Sequence, residues 1–96
     1  MKPSTALDTY RDEIRNIALR HRVCNVRVFG SVVHGTDTDD SDLDLLVDPL
    51  PGTTLMDIGA IRFELNRLLT IPVDVVTPRA LPARFRQQII EEALEV

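Results

Sequence analysis

The segment that most constrains the fold joins an alternating run to a Gly-Ser pair and two spaced aspartates. Residues 23–29 (Val-Cys-Asn-Val-Arg-Val-Phe) alternate in polarity for most of their length, which predicts a β-strand. Gly30 and Ser31 follow at once and predict a strand-to-helix junction, because glycine allows unusual backbone angles and serine can cap a short turn. Residues 35–41 are expected to form a loop, and residues 42–47 a second strand.

Other segments have the spacing of apolar residues that is typical of amphipathic helices. The first helix is expected to begin at Ser4 or Asp8 and to end near His21, and the second to begin at Thr53 or Thr54. The predicted inward-facing residues are Leu7, Ile14, Ile17 and Leu19 in the first helix, Leu55, Ile58, Ile61, Leu65 and Leu68 in the second, and Phe85, Ile89 or Ile90, and Leu94 in a last helix over 83–94.

A third strand is predicted over residues 72–76, so strands and helices alternate along the chain. We therefore expect an α+β, α/β-like fold in which a small mixed sheet of about three strands is flanked by helices. With 96 residues, the chain is expected to form a single domain over residues 1–96. Phe63 and Phe85 lie at helical spacing and are expected in the core.

The formal net charge of −4 argues against a broad nucleic-acid-binding face, which needs clustered lysine and arginine. Basic residues do gather over 11–22 and 79–86, but each group is spread along a predicted helix and is interpreted as a solvated face. No direct contact with nucleic acid is therefore expected.

The single cysteine, Cys24, cannot form a disulfide within the chain. Alternation places it on one strand face with Val26 and Val28, and it is interpreted as a small core residue. No stretch approaches the roughly 18 apolar residues of a membrane span, and the N-terminus lacks a leader pattern. We expect a cytoplasmic protein with no membrane attachment.

Three aspartates have the spacing expected of a site for divalent metal ions. Alternate side chains of a strand share a face, so Asp42 and Asp44 are expected to project together, about 6.6 Å apart. Asp74 interrupts the apolar run 73–76, and a carboxylate buried there would need a partner charge, hydrogen bonds or a metal. If the two strands are neighbours, the three carboxylates line one site, and their hard oxygen atoms suit Mg²⁺ or Mn²⁺.

Gly30 and Ser31 are predicted to bind phosphate, because backbone N–H groups at a helix start favour anions and the serine hydroxyl adds a hydrogen bond. A bare Gly-Ser pair indicates only a turn. Here it is followed by ten residues and then Asp-x-Asp on a predicted strand, and that spacing favours the phosphate site.

A calcium-binding loop is the alternative interpretation of the acidic segment, since Asp37, Asp39 and Ser41 occupy the first, third and fifth places of an EF-hand. The sixth place, which needs glycine, holds Asp42, and the twelfth holds Asp48 rather than glutamate. The segment therefore does not fit an EF-hand.

Three stretches resemble the DNA polymerase beta superfamily of nucleotidyltransferases: Phe29-Gly-Ser-Val-Val-His-Gly35, Ser41-Asp-Leu-Asp-Leu-Leu-Val47 and Val73-Asp-Val-Val76. More narrowly, the chain is similar to the minimal nucleotidyltransferase antitoxins of that superfamily. The stretch over 81–94 is similar to the closing helix of those proteins. The resemblance implies a mixed sheet flanked by helices.

The same resemblance implies that Asp42, Asp44 and Asp74 are catalytic and bind Mg²⁺ or Mn²⁺, and that Gly30 and Ser31 bind the nucleotide. It also implies ATP as the substrate and transfer of AMP to a hydroxyl, in particular that of a tyrosine, on a toxin of the HEPN class, usually a ribonuclease. The chain and the toxin would then form a hetero-oligomer.

The chain departs from the family pattern at residues 33–34, where Val-His replaces the common Ala-Arg. A mostly neutral histidine cannot replace a permanently charged arginine as a phosphate partner. His34 is therefore interpreted as a structural or solvent-facing loop residue, with contact to the nucleotide or the partner as the alternative, and His21 as a favourable charge at a helix end.

Three functions remain open. The leading hypothesis is a Mg²⁺-dependent protein adenylyltransferase that acts as an antitoxin, because the set of three carboxylates is intact. An antitoxin that neutralises its toxin by binding alone is the alternative that the missing arginine favours. A nucleotidyltransferase that acts on a small molecule is the third.

Overall fold

Helices and strands alternate along the chain, as expected, and the computed structural model describes all 96 residues. In chain order the elements are α1 (Pro3–Leu19), β1 (Val23–Phe29), α2 (Ser31–His34), β2 (Leu43–Pro49), α3 (Leu55–Leu69), β3 (Val73–Val76), a short 3-10 helix (Pro78–Ala80), α4 (Ala83–Glu92) and β4 (Leu94–Glu95). The predicted α+β fold with a mixed sheet flanked by helices is confirmed. None of the helices combines the length and the apolar character needed to cross a bilayer.

The strands form one sheet in the order β3-β2-β1-β4, so β2 and β1 are central and β3 and β4 are edges. β2 runs antiparallel to β1 and parallel to β3, with α3 as the crossover between the parallel pair. The prediction of about three strands missed β4, which pairs with Arg27 and Val28 of β1. Helix α4 ends at Glu92, because Ala93 adopts an extended backbone. The helical spacing of residues 83–94 did not predict this end.

The main core lies between one face of the sheet and the helices α1 and α3. It contains Ala6, Leu7, Ile14 and Ala18 of α1, Val23, Val26 and Val28 of β1, Leu43, Leu45 and Val47 of β2, Ile61, Leu65 and Leu69 of α3, and Val73 and Val75 of β3. Alternate residues of β2 and β3 therefore face away from α1 and α3.

The buried stripe of α3 differs from the predicted one. Ile61, Leu65 and Leu69 are buried, whereas Leu55 is 88% exposed and Phe63 is 61% exposed. The helix carries two overlapping apolar series at intervals of three and four, and only the series that faces the sheet is buried. The predictions that Leu55, Leu68 and Phe63 are core residues were therefore wrong. The predicted cap is confirmed at Thr54, whose side chain forms a capping box with Asp57.

The other two long helices also correct the sequence-based predictions. α1 is preceded by Lys2 without a side-chain cap and starts with Pro3, so neither Ser4 nor Asp8 is its cap. Leu19, predicted to face inward, is exposed.

α4 has no buried residue and contributes nothing to the main core. The predictions that Phe85 and Leu94 face inward were wrong, because both side chains are exposed and Leu94 lies in β4. One basic residue of this helix does not lie on a solvated face, because the half-buried Arg86 donates hydrogen bonds to the carbonyl oxygens of Pro78 (2.9 Å) and Leu81 (3.0 Å). Arg86 thereby joins α4 to the 3-10 helix.

A β-bulge in β1 decides which of its residues enter the core. The register with β2 shifts between Cys24 and Arg27, and Asn25 has a φ of 54°. The bulge interrupts the alternation, so Val23 enters the core together with Val26 while Cys24 is only half-buried. The interpretation of Cys24 as a core residue was therefore wrong.

The stripe of α3 leads to a stability prediction. We expect Leu65→Ala to lower the free energy of unfolding by about 2–5 kcal/mol, because it removes a fully buried side chain. Leu55→Ala makes the same chemical change on the exposed side of the same helix and should alter it by less than about 0.5 kcal/mol. Urea denaturation of both variants measures the difference, and equal losses would contradict the orientation of α3 described here.

Candidate active site

The pairing of β2 with β3 places two of the three predicted acids side by side. Asp44 of β2 and Asp74 of β3 are direct partners in the parallel register. Both lie on the sheet face opposite α1 and α3, because their neighbours Leu43, Leu45, Val73 and Val75 point into the core. Asp42 lies one residue before β2, two positions from Asp44. The expectation that the two strands are neighbours is confirmed.

The three acids differ in burial, in an order that the sequence did not predict. Asp74, expected to be buried, is exposed, whereas Asp44 is half-buried and Asp42 is exposed. The reason is the position of the strands: β3 is an edge strand, and β2 has a neighbour on each side. The predicted burial of Asp74 was therefore wrong, and Asp44 is the desolvated member of the set.

Burial and two like charges act together on Asp44. Its loss of solvent, followed by the charges of Asp74 and then Asp42, raises the pKa of Asp44 to about 6 from its ordinary 3.8. The carboxylate makes no ion pair with a basic side chain that would offset this repulsion. An excess of negative charge around a half-buried oxygen is the electrostatic setting in which a bound cation stabilises a protein.

Gly30 lies against the Asp44 carboxylate. It caps the N-terminus of α2 with a φ of 76°, and a Cβ atom built there would lie 2.4 Å from Oδ2 of Asp44. Any other residue would therefore displace that oxygen. The predicted strand-to-helix junction is confirmed, but Gly30 is the cap and Ser31 is the first helical residue. The functional role of Ser31 stays a prediction.

The acidic loop that precedes Asp42 is tied to the N-terminus of α1. The backbone N–H of Ser4 donates to Oδ2 of Asp37 at 2.8 Å, and this hydrogen bond lowers the pKa of Asp37. Asp39 pairs with the terminal amino group of Met1 at 3.7 Å. These two acids therefore have structural partners outside the site.

The three aspartates have the donor chemistry of a Mg²⁺ or Mn²⁺ site but not a closed geometry. No group of three or more histidine, cysteine, aspartate or glutamate side chains is close enough together to hold a metal ion. The donors are nevertheless carboxylate oxygens on one face, and Asp42 and Asp74 both act on the charge of Asp44. Asp42, Asp44 and Asp74 are thus the residues that fit a divalent ion, with adjustment of their side chains.

Each of the two histidine side chains contacts a glutamate. His34 Nε2 is 2.7 Å from Oε2 of Glu92, which joins α2 to α4, and its side chain is about half exposed. His21 Nε2 is 2.9 Å from Oε2 of Glu64 on α3. This hydrogen bond lowers the pKa of Glu64 and links the turn after α1 to α3. The structural role expected of His34 agrees with its contact to Glu92, although the residue ends helix α2 rather than lying in the loop. The expected role of His21 as a charge at a helix end stays a prediction, since its observed partner is Glu64.

Sequence reasoning missed a cavity beside Gly30. Its volume is about 300 Å³, and residues of β1, α2 and α4 line it, including Phe29 and Phe85. Phe85 was assigned to the core from its helical spacing, and no sequence signal distinguishes a buried aromatic from one that lines an open cavity.

In this fold, a pair of parallel strands aligns two carboxylates beside a glycine-capped helix. That arrangement is the one found in a nucleotidyltransferase. The family described as "Nucleotidyltransferase domain" matches residues 8–96, and the chain belongs to that family of enzymes.

Individual proteins agree with this assignment. The protein adenylyltransferase MntA of Thermococcus cleftensis is 31% identical over 90 residues, which cover 94% of this chain and 88% of the relative. A solved structure described as a "putative minimal nucleotidyltransferase" has a TM-score of 0.86 and 41% identity, and covers 100% of this chain and 97% of its own. A crystal structure of a toxin-antitoxin with AMP-PNP has a TM-score of 0.66 and 21% identity over 84% of this chain and 70% of its own, and supports the fold.

The contact between Gly30 and Asp44 gives a second prediction. Gly30→Ala and Gly35→Ala both place a Cβ at a positive φ, which should cost about 1 kcal/mol of stability at Gly35, in the left-handed helical region, and about 1–3 kcal/mol at Gly30, whose ψ of −143° is one that few other residues adopt. Only the Gly30 variant also pushes the Asp44 carboxylate towards solvent, since nothing lies within 4 Å of a Cβ at Gly35. In a titration followed by NMR, we expect the pKa of Asp44 to fall towards its ordinary value in Gly30→Ala and to stay near 6 in Gly35→Ala. An unchanged pKa in Gly30→Ala would contradict the contact.

A third prediction concerns pH. The pKa of Asp44 is raised on folding, so between pH 4 and 6 the unfolded chain is already ionised at this residue while the folded one is not. Stability that is present below the unfolded pKa of 3.8 is therefore lost as the pH rises to about 6. Asp44→Asn removes this loss, and we expect it to be more stable than the native chain at pH 8 and not at pH 3.5.

The control for that experiment is Asp40→Asn, an equal change of charge in the exposed loop. Urea denaturation at both pH values, without divalent metal, measures the four free energies of unfolding. If the free energy of unfolding of the native chain at pH 8 equals or exceeds that of Asp44→Asn, the electrostatic description of the site is contradicted.

Proposed function

We propose that this chain is a divalent-metal-dependent protein adenylyltransferase that transfers AMP from ATP to a hydroxyl of a toxin partner and so acts as an antitoxin. The observation that carries the proposal is the direct pairing of Asp44 with Asp74 beside Gly30, in a chain of the nucleotidyltransferase domain family. The relative from Thermococcus cleftensis, a protein adenylyltransferase, supports AMP as the transferred group. The toxin-antitoxin structure with AMP-PNP shares the fold, and its description supports both a toxin partner and an adenine nucleotide.

Each residue of the site has a proposed role. Asp42 and Asp44 hold Mg²⁺ or Mn²⁺, Asp74 completes the metal site and orients the acceptor hydroxyl, and Gly30 with Ser31 binds the triphosphate. A divalent ion held by these residues would make the hydroxyl more acidic and would offset the charge of the leaving pyrophosphate. The hydroxyl oxygen forms a bond to the α-phosphorus, the bond from that phosphorus to the bridging oxygen breaks, and pyrophosphate leaves. The proton of the hydroxyl passes to Asp74 or to solvent.

The position of Asp74 favours an acceptor on another macromolecule. It is exposed on the edge strand β3, so a hydroxyl carried by a protein surface can approach it from solvent. We propose a tyrosine of a HEPN-class toxin as the acceptor, following the resemblance of the motifs, and a hetero-oligomer of the two chains as the reacting species. The reaction consumes ATP and the chain has one cysteine, so we propose the cytoplasm as its location.

Neutralisation by binding alone is the second candidate, and His34 favours it. The residue that stands in place of the family's arginine is paired with Glu92 and carries no permanent charge for a phosphate. Such an antitoxin would cover its partner without chemistry, and the carboxylates would then be dispensable for neutralisation.

The test combines the purified chain, its partner toxin, ATP and Mg²⁺, and measures the mass of the toxin. We expect gains in units of AMP that require Mg²⁺ and are prevented by EDTA. Asp42→Asn and Asp44→Asn should each lower the transfer rate by at least about 100-fold, since each removes a proposed ligand of the metal ion that would offset the charge of the transferred group.

Asp40→Asn is the matched control, because Asp40 is an exposed acid of the preceding loop, and its rate should equal that of the native chain. If the toxin gains no mass, yet the native chain and Asp44→Asn neutralise it equally, transfer of AMP is ruled out and neutralisation by binding alone is supported.

A further inference from the structure

The cavity beside Gly30 has walls that suit a flat ring. It measures about 300 Å³ and lies between the end of β1, α2 and α4. Phe29, Phe85 and Ile89 form its apolar walls, and His34, Gln88 and Glu92 form a polar edge. A nucleobase has the same division, since its faces are apolar and its edge carries hydrogen-bonding groups.

Phe85 is held in place although it is not in the core. The side chain is 47% exposed, and the Arg84 guanidinium lies 4.9 Å from the centroid of its ring. One face of the ring is thus covered within the chain, while the residue also lines the cavity. Exposed aromatic rings of this kind are the surfaces on which bases stack in proteins that bind nucleotides.

The polar edge is a connected set of hydrogen bonds. His34 Nε2 lies 2.7 Å from Oε2 of Glu92, and Gln88 Nε2 donates to Oε1 of the same carboxylate at 3.1 Å. The contact with His34, and then that with Gln88, lowers the pKa of Glu92, so this carboxylate is ionised at neutral pH. The edge therefore joins α2 to α4 along one side of the cavity.

The cavity lies on a definite side of the reacting carboxylates. Gly30 contributes to its lining and touches Asp44, and it follows Phe29, which is the register partner of Asp44 on β1. Asp74 lies on the other side of Asp44, on β3. A nucleotide bound from the β1 side leaves the β3 edge open for an acceptor, whereas an acceptor ring in this cavity would lie away from Asp74.

We propose that this cavity binds the base of the nucleoside triphosphate, with Phe85 as the stacking residue. The inference rests on the proposed function, because it requires a nucleotide at the carboxylates. It adds a specificity-determining surface, formed by α4 and the end of β1, that the Gly-Ser and Asp-x-Asp motifs do not contain.

The test measures binding of ATP and of inorganic tripolyphosphate by calorimetry, both in the presence of Mg²⁺. Phe85→Ala should weaken ATP binding by about 5-fold or more, the range for loss of one base–aromatic stack, and leave tripolyphosphate binding unchanged. Phe85→Tyr retains a ring and should restore the ATP affinity.

Phe63→Ala is the matched control, because Phe63 is also exposed beside an arginine, with Arg67 at 5.7 Å from its ring, but lies on α3 outside the cavity. Its affinity for ATP should equal that of the native chain.

Equal ATP affinity in Phe85→Ala and the native chain would overturn the inference and leave the proposed function standing. If Phe85→Ala keeps the ATP affinity but transfers AMP to the toxin more slowly, the cavity binds the acceptor rather than the base, and the inference is overturned as well. A native chain that binds neither ligand would remove the proposed function, and the inference with it.

Discussion

The parallel register between β2 and β3 is the constraint on which the site depends. It sets Asp44 opposite Asp74, a pairing of like charges that opposes folding. Burial of apolar side chains on the opposite face of the same strands offsets this repulsion, because Leu43 pairs with Val73 and Leu45 with Val75 in the core. A slip of one residue would turn these apolar side chains towards solvent, so the core fixes the position of the acids.

Local signals predicted the parts of the fold that depend on local chemistry. The strand over 23–29, the strand-to-helix junction after it and the start of α3 after Thr53 or Thr54 each follow from residues within a few positions of one another. The Asp-x-Asp spacing likewise predicted a strand that carries Asp44, although β2 begins at Leu43 and leaves Asp42 just before it. These features need no knowledge of what packs against them.

Features set by distant contacts were missed or misplaced. Sequence spacing cannot show that β2 is central and β3 an edge, and that difference decides why Asp44 rather than Asp74 is desolvated. Phe63 and Phe85 have the spacing of core residues, but Phe63 is exposed on α3 and Phe85 lines the cavity between α4, α2 and β1. The roles of the carboxylates and of Gly30 and Ser31 in catalysis stay predictions, since they depend on a nucleotide and a metal ion.

The sheet separates two tasks by face. Helices α1 and α3 cover one side and form the main core with it, whereas the acids, Gly30 and the cavity lie on the opposite side. Adjacent residues of one strand are thus constrained differently: Leu43 and Leu45 by the volume of their core neighbours, and Asp44 between them by the charges of Asp42 and Asp74. Substitutions on the acidic face can therefore change the charge there while the core packing of the same strands stays constant.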